Sequence, residues 1–394
     1  MNTAWVPTHS PFLGPLHDEL HTRLLAWVQH NLSQFEAIEA QPLNDQCAYW
    51  LRNLNELGVL QYAVPPLEHV LQRAPQHMPD VDLRAICIVR ECLGYYAPVA
   101  DFVFSMQGIG AAALWKNECA AELMAYVQAS AVGQKVAAFA VTEPDGGSDV
   151  AATRTVAVDA AGGYRIHGKK TYISNGGIAD YYVVIARTEE AQGANGLSAF
   201  LVDADTPGLC IAKQIDIVAP HPLAEIHFED CQIPANRLIG RRGEGFKVAM
   251  SVLDIFRSSV GAAALGMGQR AMDETIHRMR TRQLFGKAMA EMDVVKHTVA
   301  DMATQLEAAR LLVHQAAWRR DVQRQRISKE AAMAKMYGTE AAFKVIDAAV
   351  QLWGSMGITC GSVMERLYRE IRPMRIYEGA TEVQKTIIGR HLLR

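Results

Sequence analysis

The stretch Arg375-Ile376-Tyr377-Glu378-Gly379-Ala380-Thr381-Glu382 sets one carboxylate, Glu378, between an aromatic and a glycine. Pro373 stands just upstream and is expected to break any helix arriving there. Gly379 lets the chain turn tightly and lets a ligand approach its N–H. Glu382 to Arg390 then reads as an amphipathic helix. Glu378 is therefore offered on a short irregular segment between helices, where general acids and bases are commonly displayed. On their own the same residues also suit a solvated turn.

Other stretches carry hydroxyls, glycines and cations at suggestive spacing. Ala140-Val141-Thr142-Glu143-Pro144-Asp145-Gly146-Gly147-Ser148-Asp149 follows an apolar strand, Val136 to Val141. It offers N–H groups and hydroxyls that could bond a flat heterocycle or a polar chain, or it is an ordinary glycine-rich turn. In Lys170-Thr171-Tyr172-Ile173-Ser174-Asn175-Gly176-Gly177 a strand would put Tyr172 and Ser174 on one face, with Asn175-Gly176 turning a hairpin. Arg282 with Phe285-Gly286-Lys287 suits a pyrophosphate, since Arg offers two parallel donors. Gln351-Leu352-Trp353-Gly354-Ser355-Met356-Gly357 is a glycine-rich helix end. Either of the last two could be plain helix termination.

Gly266-Met267-Gly268-Gln269-Arg270-Ala271 fits the dinucleotide pattern G-x-G-x-x-A. That pattern needs a strand before it, and Val260 to Leu265 continues a helix, so close helix packing is the better reading. Neither G-x-x-x-x-G-K-[ST] nor H-E-x-x-H occurs, which leaves nucleotide hydrolysis and zinc proteolysis without support.

The elements that must hold these stretches follow from composition and periodicity. The chain has 394 residues and is 50% hydrophobic, enough for two or three domains with sizeable cores. A net charge of −3 offers nothing to nucleic acid or an anionic membrane. Seven cysteines without C-x-x-C spacing fit reduced thiols in a cytoplasmic protein and no metal site. No apolar run is expected to be long enough to span a bilayer. Residues 1–131 read as an α-helical domain and 132–240 as a β domain, where Ala160-Ala161-Gly162-Gly163 signals a hairpin. Residues 241–394 read as a helical bundle with long helices at Phe246–Arg280, Val294–Arg319 and Lys329–Trp353. The fold class is thus α+β multidomain.

In order and spacing, the chain resembles the acyl-CoA dehydrogenase family over nearly its whole length. The resemblance rests on Val141-Thr142-Glu143-Pro144 with Gly147-Ser148-Asp149, and on Ser174-Asn175-Gly176-Gly177. Pro222-Leu223-Ala224-Glu225 with Phe228 and Pro234 matches too, as do Arg282 with Phe285-Gly286-Lys287, Gln351 with Gly354 and Gly357, and Tyr377-Glu378-Gly379. It implies a helical domain, a β-barrel-like middle domain and a C-terminal four-helix bundle, with FAD between the last two, completed by a neighbouring subunit of a homotetramer. By that resemblance Phe139, Val141 and Thr142 line the flavin's pyrimidine side, Tyr172 stacks on the isoalloxazine, and Ser174 bonds near N5. Arg282, Phe285 and Gln351 reach the FAD of the partner subunit, Thr381 and Glu382 serve the subunit's own, and Ser355 is a further cofactor-binding residue. Ser148, Asp254 and Arg257 contact the pantetheine arm of an acyl-CoA substrate. Tyr377 and Gly379 flank its acyl group, with Phe102, Val103, Met106 and Phe256 along the pocket.

The implied reaction is α,β-dehydrogenation, with Glu378 taking the α-proton and hydride passing to flavin N5. Electrons would then go to an electron-transfer flavoprotein. Phe256 stands where some relatives keep a relocated base, so Glu378 is the single candidate. The chain departs from the family at Ser355 (often Gly), Ala380 (often Thr) and Asp293 (often Gln), and Pro65 to Met78 lacks the usual Gly-Gly loop. An oxidase passing electrons to oxygen, or a non-catalytic acyl-CoA-binding member, would share this fold. The pocket leans toward a short, branched or cyclic acyl group.

Overall fold

A computed structural model describes residues 10–71, 81–188 and 193–393. Helices α1 (Pro15–Glu39), α2 (Leu43–Glu56), α3 (Leu60–Ala63), α4 (Leu67–Leu71), α5 (Leu83–Tyr96), α6 (Pro98–Lys116) and α7 (Met124–Ala131) come first. Strands β1 (Ala137–Ala140), β2 (Val156–Ala160), β3 (Gly163–Ser174), β4 (Tyr181–Arg187), β5 (Leu197–Asp203), β6 (Leu209–Ile215), β7 (Leu223–Pro234) and β8 (Leu238–Ile239) follow. Then come α8 (Gly245–Thr281), the short pair β9 (Gln283–Leu284) and β10 (Lys287–Ala288), α9 (Asp293–Asp321), α10 (Ser328–Trp353), α11 (Val363–Met374) and α12 (Thr381–Leu392). The helix, sheet, helix order is the one expected. Part of the Pro65–Met78 stretch, residues 72–78, lies outside the described residues.

The described residues fall into two compact units. A helical unit takes those of 1–37, 82–101 and 257–394, and a sheet unit takes those of 38–81 and 102–256.

In the sheet unit the strand order is β6-β7-β3-β2-β4-β5-β8, with β1 pairing parallel to β4. β4 and β5 are buried on both faces up to their last residue, which is why they read as continuous apolar runs. Their side chains join Ala138, Ala140, Ile166, Ile226 and Phe228 in one core. The expected hairpin forms: Ala160 pairs with Gly163 and Gly162 takes φ +79°. Asn175-Gly176 does not make a hairpin. Its turn joins β3 to β4, which pair with other strands, and the Asn175 amide instead donates to the Ala137 carbonyl at 2.9 Å.

In the helical unit the long helices pack through small residues. A Cβ on Gly266 would sit 2.0 Å from the Glu91 carbonyl oxygen, and one on Gly261 2.7 Å from that of Ala334. The G-x-G-x-x-A stretch is thus the middle of α8, and its glycines serve helix contact.

Two further expectations need correction. Pro373 does not stop α11 before it. It occupies the last turn, where only the bond to the Arg369 carbonyl is forfeited, and the helix runs to Met374. α8 is long and apolar enough to cross a bilayer, with 78% of that window buried within the protein, so an apolar run of that length does exist. Its composition comes from alanines and glycines used for packing rather than from lipid-facing chains.

Candidate active site

The helical unit presents Glu378 on the link between α11 and α12. The N–H groups of Ile376 and Tyr377 both bond to the Pro373 carbonyl, at 2.8 and 3.0 Å, closing the last turn. Glu378 and Gly379 then both take left-handed backbone, φ +53° and +89°. For glutamate this conformation is strained and persists only where neighbours impose it. Here two buried side chains do so. Lys335 Nζ donates to the Gly379 carbonyl at 2.9 Å, and Gln384 Nε2 to the carbonyls of Gly379 at 2.7 Å and Glu378 at 3.2 Å. The start of α12 is tied down as well, because Glu340 accepts from Thr381 Oγ1 at 2.6 Å and Arg375 Nε at 2.9 Å.

Glu378 is partly exposed as a residue, but both its carboxylate oxygens are closed to solvent and lack a hydrogen-bond partner among the described residues. Burial raises its proton affinity above the ordinary carboxylate value. Arg90, Lys335 and Arg257 pull it back, and Asp101 adds to the rise. Arg90 is itself neutralised in a buried two-pronged pair with Asp101, at 2.8 and 2.9 Å, and donates to Ser259 at 2.9 Å. The neighbouring Tyr377 phenol is pushed well up by burial, so it stays neutral. A carboxylate that is neither solvated nor hydrogen-bonded is a stronger base than one in water, and nearby cations oppose part of that rise.

A second group of candidates gathers elsewhere in the helical unit. Leu284 and Leu352 pack on one cluster with Met279, Met289 and Val295. Their sequence neighbours Arg282, Phe285, Gln351 and Ser355 are exposed. Phe285 and Gly286 form a two-residue turn between β9 and β10 with φ +51° and +79°, leaving the phenyl ring 93% exposed. Arg278 stacks over Trp353, 4.8 Å from the ring centroid, and joins the ends of α8 and α10.

In the sheet unit Ala138 and Ala140 turn inward from β1, while Phe139 and Val141 stay partly exposed. The Thr142 carbonyl accepts from the Thr171 N–H at 2.9 Å, which sets Thr142 beside the end of β3. There the regular alternation expected of Tyr172 and Ser174 breaks. Pairing with β7 shifts between Lys170 and Ile173, and Tyr172 takes φ +54°. This bulge leaves Tyr172 58% exposed, with Ile173 buried and Ser174 partly exposed. Ser148 is exposed on the glycine loop. Asp254 and Arg257 stand three residues apart on α8, the first partly exposed and the second buried. Phe102 stacks on His221 at 4.5 Å, and Phe256 is fully buried against Gly108.

Sequence reasoning missed Lys335, Gln384, Arg90 and Asp101. One signal was available: Lys335 interrupts a stripe of small residues, Ala331, Ala334, Gly338 and Ala342, where a charge needs a reason. Glu143 and Lys170 form a buried ion pair, 2.8 Å apart, that their distance in sequence hides.

Comparison with known proteins is consistent along the chain. Residues 243–393 match the family model of the acyl-CoA dehydrogenase C-terminal domain, and 138–231 that of the middle domain. An acyl-CoA dehydrogenase of Bacillus subtilis (strain 168) is 38% identical over 274 residues, covering 68% of this chain and 72% of that protein. Cyclohexane-1-carbonyl-CoA dehydrogenase of Geobacter metallireducens is 38% identical over 263 residues, 66% of this chain and 69% of that one. The structure of butyryl-CoA dehydrogenase from Megasphaera elsdenii superposes with a TM-score of 0.85 at 29% identity, covering 97% and 99% of the two chains. With matches of this length to sequences and structures alike, the chain belongs to the acyl-CoA dehydrogenase family, FAD-dependent oxidoreductases acting on the CH–CH bond of acyl-CoA thioesters.

Proposed function

We propose that this protein performs α,β-dehydrogenation of an acyl-CoA thioester with Glu378 as the general base. One observation carries the reading: the Glu378 carboxylate is closed to solvent, free of hydrogen bonds among the described residues, and under the electrostatic influence of Arg90, Lys335 and Arg257. A thioester α C–H is a very weak acid, so its carbonyl must be polarised as the proton leaves. The Glu378 N–H is the protein's donor for that carbonyl, and the Glu378 carboxylate receives the α-proton.

The residues present suit FAD. Tyr172 offers an exposed flat ring lifted by its bulge, and Thr142 and Ser174 offer hydroxyls on the same strand ends. A Cβ on Gly147 would meet nothing within 4 Å, so the loop leaves room for a group to approach its backbone. In the sheet unit Phe139, Val141, Thr142, Tyr172 and Ser174 are the candidate FAD contacts, and in the helical unit Thr381 and Glu382 are. Arg282, Phe285, Gln351 and Ser355 would reach the FAD of a second copy in a homotetramer. When bound, FAD supplies the acceptor for the hydride leaving the β-carbon. Ser148 and Asp254 in the sheet unit, and Arg257 in the helical unit, are the candidate contacts to the CoA arm, and Tyr377 and Gly379 are those to the acyl group. Tyr377 beside the base favours a short, branched or cyclic acyl group. The oxidant that restores the enzyme is an electron-transferring flavoprotein.

The test is anaerobic titration of the purified protein with a panel of acyl-CoAs, following the visible flavin band. Bleaching by one thioester names the acyl class, and Glu378→Gln should slow it by about 10²–10⁴-fold or more. Flavin reduction at the wild-type rate in Glu378→Gln would sink the assignment. Oxygen consumption without an added acceptor would replace the dehydrogenase by an oxidase.

A further inference from the structure

Lys335 lies fully buried on α10, 0% exposed, and its hydrogen bond goes to the Gly379 carbonyl. That carbonyl already has a neutral donor in Gln384, at 2.7 Å, so hydrogen bonding alone does not call for a charge there. Placing an ammonium among Ala331, Ala334 and Gly338 is costly, because the charge loses its water. Burial indeed lowers its proton affinity to about 8, and Glu378 is the first group that pushes it back up.

Two of the other charges around this point are committed to partners of their own. Arg90 is paired with Asp101, and Glu340 with Arg375 and Thr381. The charged groups acting on Glu378 are Arg90 from α5, Asp101 from α6, Arg257 from α8 and Lys335 from α10. Those acting on Lys335 are Glu378, Arg257, Glu340 and Glu382.

We propose that Lys335 is a positioning residue for the base: through the Gly379 carbonyl it holds the left-handed turn at Glu378, and its charge keeps the unbonded carboxylate an anion ready to take a proton. The two effects come from one atom. Lys335 Nζ fixes the backbone immediately after Glu378 and supplies positive charge to a carboxylate that has no donor among the described residues. The proposal rests on reading Glu378 as the base, yet it can be tested separately.

Three variants divide the roles. Lys335→Gln keeps a donor and removes the charge, Lys335→Arg keeps the charge, and Lys335→Met removes both. Met covers the case in which Gln fails to fold, since its flexible unbranched apolar chain can fill the space left by the lysine. The first readout is direct titration of Glu378 in holoenzyme carrying 13C-carboxyl glutamate, its resonance assigned by loss in Glu378→Gln. The second is the acidic limb of the pH profile for anaerobic flavin reduction.

Lys335→Gln and Lys335→Met should move the Glu378 titration upward by about one pH unit or more, and Lys335→Arg should restore it towards the wild type. The acidic limb should move with it. A Glu378 titration unchanged in both Lys335→Gln and Lys335→Met overturns the proposal. A titration that moves while the limb stays fixed supports the link between Lys335 and Glu378 and overturns the role of Glu378 as base, so the two failures are distinguishable.

Discussion

Lys170 and Glu143 form an ion pair with 2.8 Å between Nζ and Oε1, their side chains 0% and 8% exposed. The pair organises the glycine loop. Glu143 also accepts from the N–H groups of Arg154 and Thr155, at 2.7 and 2.9 Å, and Lys170 also donates to the Val141 carbonyl at 2.9 Å. Val141 and Thr142 are thereby fixed next to the bulge that carries Tyr172.

Glu143→Gln should therefore destabilise the protein strongly, by about 3–5 kcal/mol, because it leaves the Lys170 charge buried without its partner. The pH dependence has a definite sign. Lys170, with the two backbone donors, holds Glu143 below its ordinary value of 4.5 despite burial. Burial lowers Lys170 to about 8, which still leaves it charged at neutral pH, so the pair is ionic there. The stabilisation by Glu143 is present above pH 4.5 and is lost as pH falls through the folded value. Thermal melts between pH 3 and pH 7 should show a steeper acid limb for the wild type than for Glu143→Gln.

Glu378 should behave in the opposite way. Its proton affinity is raised in the fold, chiefly by burial. The folded state therefore binds its proton more tightly than the unfolded chain, and stability falls as pH rises above 4.5. Glu378→Gln, which carries no charge, should melt higher than the wild type at pH 8, with the gap closing below pH 4.5. The expected gain is a few degrees, given about 2–4 °C per kcal/mol for mid-sized domains. A variant that loses catalysis while gaining stability is the expected behaviour of a strained functional residue. Equal melting at both pH values would show that the carboxylate is solvated in solution.

Gly266 tests the packing reading of the G-x-G-x-x-A stretch. A Cβ there would lie 2.0 Å from the Glu91 carbonyl and 2.7 Å from the Tyr95 nitrogen, both backbone atoms with little room to yield. Gly266→Ala should cost about 1–3 kcal/mol or more in a chemical denaturation curve, through overpacking between α5 and α8. It should do so equally with and without added nucleotide. An alanine variant as stable as the wild type would remove the close-packing explanation.

How much of this was legible follows from which forces were local. α8, α9 and α10 were readable because apolar periodicity over more than twenty residues overwhelms local ambiguity. The Ala160–Gly163 turn was readable because a two-residue hairpin is specified by its own glycines. Asn175-Gly176 misled because the same dipeptide can be held by a distant partner, here the Ala137 carbonyl. Glu378 was legible through its flanking residues and through a family pattern. Its surroundings were not, since Arg90, Asp101, Arg257, Lys335 and Gln384 come from separate elements and meet only through tertiary packing. The bulge at Tyr172 was likewise hidden, as it arises from a register shift against β7.

Phe285 offers a case where stability and cofactor binding should separate. It occupies the first position of a turn in which both residues have positive φ, +51° and +79°, and its ring is 93% exposed. A bulky residue in that conformation costs about 1–2 kcal/mol, whereas asparagine adopts it readily and Asn-Gly is the preferred pair for such turns. A phenyl ring that is both strained and exposed stabilises nothing in the unit that carries it, which agrees with its proposed contact to the FAD of a second copy. Phe285→Asn should therefore raise the melting temperature of the apoprotein. The same change should weaken FAD retention, by about tenfold for each 1.4 kcal/mol of lost contact. Thermal melts of apoprotein and equilibrium dialysis of FAD against the assembled enzyme measure the two effects separately. Unchanged FAD affinity in Phe285→Asn would remove Phe285 from the cofactor site, and a lowered apoprotein melting temperature would show that the ring packs within its own chain.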